Sequence, residues 1–375
     1  MRVMIMVHNL TGGGAERVAA LWATGFAERG DEVIVVIFET TKIAYGISDK
    51  AEIICLKPIV NNKLLRSILS RTGISRHHYL HSLSEIIHFR KPDVCIGVMG
   101  PYARDAYKLS RDIGTRIIQT YHSSFDLPDT APINRRKDLD KCYALDNSVE
   151  IRTVLTQADK DYIGNRMKNV FVMPNPLAFK VADSIPKKKK VILACGRLDV
   201  WEVKGFDVLI KAWGKVSQKH PDWSLHLAGT GSRNSEDYLK TLAVENRVAD
   251  KMEFLGFKED VISLYKSSEI FVLSSRYEGF GMVLTEAMSQ GCACIACDYK
   301  GRQKEIIENE NQGLLCPPED VDALARALDR MITDVSYRKI CQNNALDRAS
   351  YFTVKETIKR WDYIFEQTGI IETKR

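Results

Sequence analysis

The sequence predicts an α/β protein of two doubly wound domains, each with a parallel sheet covered by helices on both faces. Three observations carry this. Short apolar runs alternate with helical stretches along the chain. The alternation halts after Pro176 and restarts at Val191. The 375 residues are long for one core but suit two domains of roughly 170 to 190 residues each.

The first series of strand-like runs covers residues 3–7, 33–38, 53–56, 94–98, 116–120 and 153–156, and the second covers 191–195, 225–228, 252–255, 270–273 and 293–296. Most are continuously apolar, the mark of strands covered on both faces, and helices between them make the sheets parallel. The opening Met1-Arg-Val-Met-Ile-Met-Val7 is too short an apolar run for a signal peptide and lacks a cleavage pattern, so it reads as the first strand. Ile185-Pro-Lys-Lys-Lys-Lys190 separates the two series and reads as a solvated linker flank. The last helix is expected near residues 354–365. Ligands of open α/β sheets bind beyond the carboxyl ends of the strands, so two such domains facing each other would share one cleft.

Composition narrows the classes further. No apolar run approaches the roughly 18 residues needed to span a bilayer. Nine cysteines, an odd number in mostly apolar settings, indicate a reducing compartment without disulfides. Cys292, Cys294 and Cys297 stand close together but on a strand-like segment with no second ligand pair, so no metal site is expected there. Asp138-Leu-Asp140 lies in the charged run 135–141 and reads as a solvated helix face, not as a metal-binding acid pair after a strand.

The most informative segment is Glu278-Gly-Phe-Gly-Met-Val-Leu-Thr-Glu286. Strand residues Ile270–Leu273 run into Ser274-Ser275-Arg276, and the glycines then open a helix. A strand–loop–helix of this kind aims free N–H groups and a positive dipole end at one point, which suits a phosphate. An acid on each side of that point is better matched to the neutral hydroxyls of a sugar. The plain alternative is an acid at a helix start and a solvated glutamate further along.

Three further motifs stand in order upstream: Gly12-Gly13-Gly14-Ala15-Glu16-Arg17 after the first strand, Met173-Pro174-Asn175-Pro176, and Gly196-Arg197-Leu198 followed by Lys204-Gly205 opening a helix. With the glutamate pair, they give a pattern that resembles the retaining GT-B glycosyltransferases of family 4 (glycosyl transferases group 1). The resemblance covers about the whole chain. It implies two facing Rossmann-like domains, residues 1–175 on the acceptor side and 176–350 binding the nucleotide sugar. A C-terminal helix in 351–375 crosses back to the first domain, and Pro174–Pro176 forms the hinge about which the domains close. It implies that Arg197 and Lys204 clamp the nucleotide diphosphate, in keeping with a planar fork and a mobile ammonium. Glu278 would hold the sugar hydroxyls and Glu286 the nucleotide ribose. Gly279, Phe280, Gly281, Met282 and Val283 would form the donor-binding loop. Gly13 and Gly14 would border the diphosphate with amides facing the cleft. Gly229 and Gly231 would give the nucleotide room, and the backbone near Gly256, Phe257 and Lys258 would choose the base. No cofactor or metal is implied: the cations and the helix terminus replace a divalent ion.

The glycine loop also has the skeleton of a dinucleotide fingerprint, with Glu39 ending the next strand. Arg17, however, stands where the third glycine belongs, and a dehydrogenase leaves Arg197, Lys204 and the glutamate pair without a role. His122 follows the strand 116–120, and similar family members carry a histidine here that contacts the transferred sugar. The alternative is a hydrogen-bonded loop histidine. His77, His78, His81 and His88 belong to a helical surface, and His8 is a weaker cleft candidate.

Residues 63–91 hold Lys63, Arg66, Arg71, Arg76, Arg90 and Lys91 against one acid, Glu85. Leu64, Leu65, Ile68 and Leu69 at helical spacing make an amphipathic helix suited to an anionic membrane surface, or to packing on its own domain. The expected partners are a nucleotide-sugar donor, uridine-based by default, and a glycan or polyprenyl-linked saccharide acceptor. The expected place is cytoplasmic, peripheral on the cytoplasmic membrane face. No nucleic-acid motif is present. A guanosine-diphosphate mannosyltransferase, a nucleotide-sugar epimerase and a non-catalytic nucleotide-sugar binder are the competing readings. A phosphorylase would need an anchored pyridoxal group.

Overall fold

The computed structural model describes residues 1–38, 42–57, 71, 74–128 and 149–372. It divides into two compact units, Met1–Pro176 with Val354–Arg375, and Leu177–Thr353.

In the first unit β1 (Arg2–Met6) leads to α1 (Gly14–Arg29), β2 (Glu32–Phe38), β3 (Ala51–Leu56), α2 (Ile74–Arg90), β4 (Val94–Val98), α3 (Tyr102–Leu109), β5 (Arg116–Thr120), β6 (Ile151–Val154), α4 (Gln157–Ile163) and β7 (Val170–Val172). The strands form one parallel sheet in the order β3-β2-β1-β4-β5-β6-β7. Val3 to Met6 are fully buried because helices cover both faces of the sheet. The chain winds outward from β1 to β3 and then crosses to β4, which pairs with β1 at Val3↔Val94. The topological switch point therefore lies between β1 and β4, with the glycine loop directly above it.

The second unit runs β8 (Lys189–Cys195), α5 (Trp201–Lys204), α6 (Phe206–Val216), β9 (Ser224–Ala228), α7 (Arg233–Glu245), β10 (Met252–Gly256), α8 (Val261–Ser267), β11 (Ser268–Leu273), α9 (Met282–Ser289), β12 (Ala293–Cys297), β13 (Gly313–Cys316), α10 (Val321–Thr333) and α11 (Val335–Ser350). Its parallel sheet has the order β10-β9-β8-β11-β12-β13, so its switch point lies between β8 and β11. Side-chain caps mark the helix starts where the sequence places Asp or Ser: Ser232 for α7, Asp260 for α8, Asp320 for α10 and Asp334 for α11.

The chain then returns to the first unit as α12 (Val354–Gln367), which packs on α1. Trp361 meets Trp22 edge-on at 5.1 Å, and Phe365 stacks on Phe26 at 6.1 Å. Gly25 permits the approach, since a Cβ there would lie 2.6 Å from the Val354 side chain.

Several expectations need correction. The strand expected at 153–156 is β6, which ends at Val154. Thr156 instead caps α4, its hydroxyl accepting from the Asp159 amide. The short edge strands β7 and β13 were not foreseen. The lysine run is more than a solvated flank: Lys188 is half-buried and its ammonium donates to the carbonyls of Tyr265 (3.0 Å) and Gln290 (2.9 Å), while Lys189 and Lys190 begin β8.

Candidate active site

The loops beyond the carboxyl ends of β8, β9, β10 and β11 carry the second unit's candidate residues, and glycines let them pack closely. Gly229, with φ +142°, sits against Gly196, where a Cβ would come 1.8 Å from the Gly196 carbonyl oxygen. Its N–H donates to Gly256 O at 2.9 Å, tying the ends of β9 and β10. Phe257, just beyond, is 72 % exposed, and Lys258 is exposed beside it.

Arg197 is exposed at the end of β8, and its guanidinium makes no hydrogen bond or ion pair among the described residues. Lys204 does not open a helix, as the sequence suggested. It closes the four-residue α5, and Gly205, left-handed at φ +63°, makes the turn into α6. A Cβ on Gly205 would lie 2.0 Å from Ser274 O, so only glycine fits against the end of β11. The aliphatic stem of Lys204 runs past Gly196, 3.4 Å from where a Cβ would be, bringing its ammonium to the side of the sheet end that carries Arg197.

Glu278 meets that ammonium. Its Oε1 accepts from Lys204 Nζ at 2.5 Å and from Ser275 Oγ at 2.9 Å. The second carboxylate is not a solvated helix residue: Glu286 is 3 % exposed, and its Oε2 accepts from the Tyr265 hydroxyl at 3.1 Å. Burial, with the neighbouring Cys195 and Glu286, holds the Tyr265 hydroxyl far above its ordinary pKa, so it remains a donor. Gly279 is half-buried. Gly281, at φ +94°, starts α9, whose first residues Met282 and Val283 are half-buried. Phe280 differs from expectation, because its ring turns inward onto Phe352 at 5.6 Å and only its backbone remains for a ligand. Gln303 Nε2 holds the Phe280 carbonyl at 3.4 Å.

In the first unit the glycine loop's amides are partly engaged. Gly12 N–H donates to Glu16 Oε2 at 2.8 Å, and Gly13 N–H to the Tyr45 hydroxyl at 2.8 Å. Gly14 is exposed as the first residue of α1. His8 is exposed with Nδ1 2.9 Å from the Tyr102 hydroxyl.

His122 is half-buried, with its ring 5.5 Å from that of Trp22. Nδ1 lies 3.0 Å from Asn175 Oδ1 and Nε2 3.0 Å from Thr120 Oγ1. An amide oxygen can only accept, so Nδ1 carries the hydrogen, and Nε2 accepts from Thr120. Burial pushes its pKa down to about 4, against an upward pull from the Asn175 bond. The imidazole is therefore neutral at pH 7.

The basic stretch is less unbalanced in space than in sequence. Arg76 pairs with the buried Asp105, and Arg90 with Glu52. His88 meets Asp112 at 3.1 Å. Lys63, Leu64, Leu65, Arg66, Ile68 and Leu69 lie outside the described residues, as do Glu39, Asp138 and Asp140. No helix of the described residues is long and apolar enough to cross a membrane. Cys292, Cys294 and Cys297 are buried, and burial pushes the Cys292 thiol up to about 11. Among the described residues no three His, Cys, Asp or Glu side chains gather as a metal site.

Sequence reasoning missed Arg276, Asp207, Ser275, Tyr265 and Asn175 as partners of these residues. Arg276 and Ser275 belong to the glutamate segment's own approach, but their partners are set by the fold.

Two doubly wound parallel-sheet units in this order make the GT-B fold. The chain is similar over 98 % of its length, with a TM-score of 0.74 and 18 % identity, to HepE of Anabaena solved in complex with UDP, covering 100 % of that chain. Residues 178–348, almost the whole of the second unit, match the model of the glycosyl transferases group 1. It is 27 % identical to an uncharacterized glycosyltransferase of Haemophilus influenzae, covering 96 % of this chain and 98 % of the relative. It is 26 % identical to the GalNAc-alpha-(1->4)-GalNAc-alpha-(1->3)-diNAcBac-PP-undecaprenol alpha-1,4-N-acetyl-D-galactosaminyltransferase of Campylobacter jejuni, covering 96 % of this chain and 97 % of that one.

Proposed function

We propose that this glycosyltransferase is a retaining hexosyltransferase that needs no metal ion and moves a sugar from a nucleotide-diphosphate donor, a uridine diphosphate sugar first, to a glycan or polyprenyl-linked saccharide. One observation carries the reading: two cations and a helix N-terminus stand around the switch point of one sheet, where an anion is stabilised most. The bond from the anomeric carbon to the diphosphate breaks with its electron pair leaving on phosphate. The acceptor oxygen bonds to the same face of that carbon, and its proton passes to the departing phosphate. Arg197, Lys204 and the amides of Gly281 and Met282 carry the charge that develops. When the diphosphate arrives, Lys204 turns to it and Glu278 is released to the sugar hydroxyls. Glu286, held by Tyr265, is set for the ribose. Gly13, Gly14 and His122 are included through the family resemblance. The uridine choice is supported by the UDP in HepE, and the lipid-linked acceptor by the undecaprenol-linked substrate named for the Campylobacter relative.

Thermal stabilisation by a panel of uridine and guanosine diphosphate sugars, with and without a chelator, tests this. A chelator-insensitive shift with uridine donors is expected. A shift with guanosine donors alone changes the base, a shift abolished by chelator removes metal independence, and no shift with any donor refutes the assigned site.

A further inference from the structure

Helix α5 has four residues, too few to hold its own geometry, yet its last residue is the cation Lys204. Something else must fix it, and one residue does most of this, through its backbone amide and its guanidinium. The Arg276 N–H donates to Val203 O at 2.8 Å, and its guanidinium reaches the Glu202 carbonyl. Nη1 and Nη2 also take both oxygens of Asp207, at 2.8 and 2.9 Å, just after the Gly205 turn. Its Nε donates to Glu319 Oε1 at 2.7 Å, beyond β13. Ser274 Oγ, two residues before it, holds the Lys204 carbonyl at 2.9 Å. The loop after β11 therefore grips the segment 202–207 on both sides of Lys204.

We propose that Arg276 is a positioning residue for Lys204, acting on the donor diphosphate only through that ammonium. This rests on the function proposed above. The fork geometry is what matters: a lysine keeps the charge but cannot take both Asp207 oxygens and the Glu202 carbonyl at once. Arg276 touches no reacting atom.

The test is a double-mutant cycle on the full chain, reading the dissociation constant of uridine diphosphate by calorimetry. Arg276→Lys is expected to weaken binding about tenfold or more in the wild-type background and less than twofold in a Lys204→Ala background. Arg338→Lys is the control. It replaces a comparably buried fork, one that pairs with Glu269 at the opposite end of β11 (3.2 Å), and is expected to leave affinity unchanged. Equal losses in both backgrounds, or an equal loss from Arg338→Lys, overturn the proposal. A second measurement needs no nucleotide: the rate at which an N-hydroxysuccinimide ester labels the Lys204 amine, read by peptide mass spectrometry. Arg276→Lys should raise that rate several-fold by freeing the amine from Glu278, and an unchanged rate overturns the positioning role. If the wild type binds no nucleotide, the functional reading falls, and the labelling rate still decides whether Arg276 places Lys204.

Discussion

His122 makes a sharp pH prediction. Burial keeps its imidazole neutral, bonded to Asn175 and Thr120, with a folded-state pKa near 4 against 6.5 for the free side chain. A base with a lowered pKa binds fewer protons folded than unfolded, so its contribution to stability is complete above about pH 6.5 and drains away as the pH falls towards 4. The loss works out at about 1.4 kcal/mol by pH 5.5 and about 3 kcal/mol by pH 4. Two units need not unfold as one transition, so the residue is best followed directly, by the ring Cε1–H resonance. It should keep its neutral position at pH 5.5 and move only near pH 4. In parallel, urea unfolding of the wild type should lose about 1.4 kcal/mol more than His122→Gln between pH 7 and 5.5. A resonance that titrates near 6.5, or parallel stability curves, would refute the assigned environment.

Replacing the neutral acceptor by a charged one, Asn175→Asp, should raise the His122 midpoint by a unit or more, seen in the same titration. Lys204→Ala should weaken uridine diphosphate binding by at least about tenfold, from the loss of a charge-assisted bond worth about 1.5–3 kcal/mol, measured by calorimetry. Tyr265→Phe should raise the donor KM several-fold with kcat little changed, because Glu286 loses the donor that orients it; a fall confined to kcat contradicts this. Gly229→Ala should destabilise the second unit by more than about 2 kcal/mol in urea, since a methyl cannot sit against the Gly196 carbonyl.

How much of this could be read beforehand depends on the range of each interaction. The central strands were legible because both faces are buried, and runs such as Val33 to Phe38 carry that in their apolar residues. β7 was not: its three residues lie half-buried at a sheet edge and leave no pattern. Glu278 and Lys204 were chosen separately, and the fold brings them 74 positions together into one contact. The inward turn of Phe280 and the burial of Glu286 depend on residues such as Phe352 and Tyr265, which motif spacing does not encode. The roles of Arg276 and Asn175 share this character, since each is defined by partners far away along the chain.

The packing of α12 on α1 has a consequence for synthesis. The second unit is one continuous stretch, Leu177–Thr353, whereas the first is completed by Trp361 and Phe365 closing on Trp22 and Phe26. During translation, therefore, the half that begins first cannot finish first. Its aromatic layer stays uncovered until residues beyond 354 have emerged, by which time the later half has all of its own chain. Emergence of α12 thus acts as a lock on a unit whose sheet was made earlier. In that interval the bare face of α1 is where a nascent-chain chaperone would have most to shield.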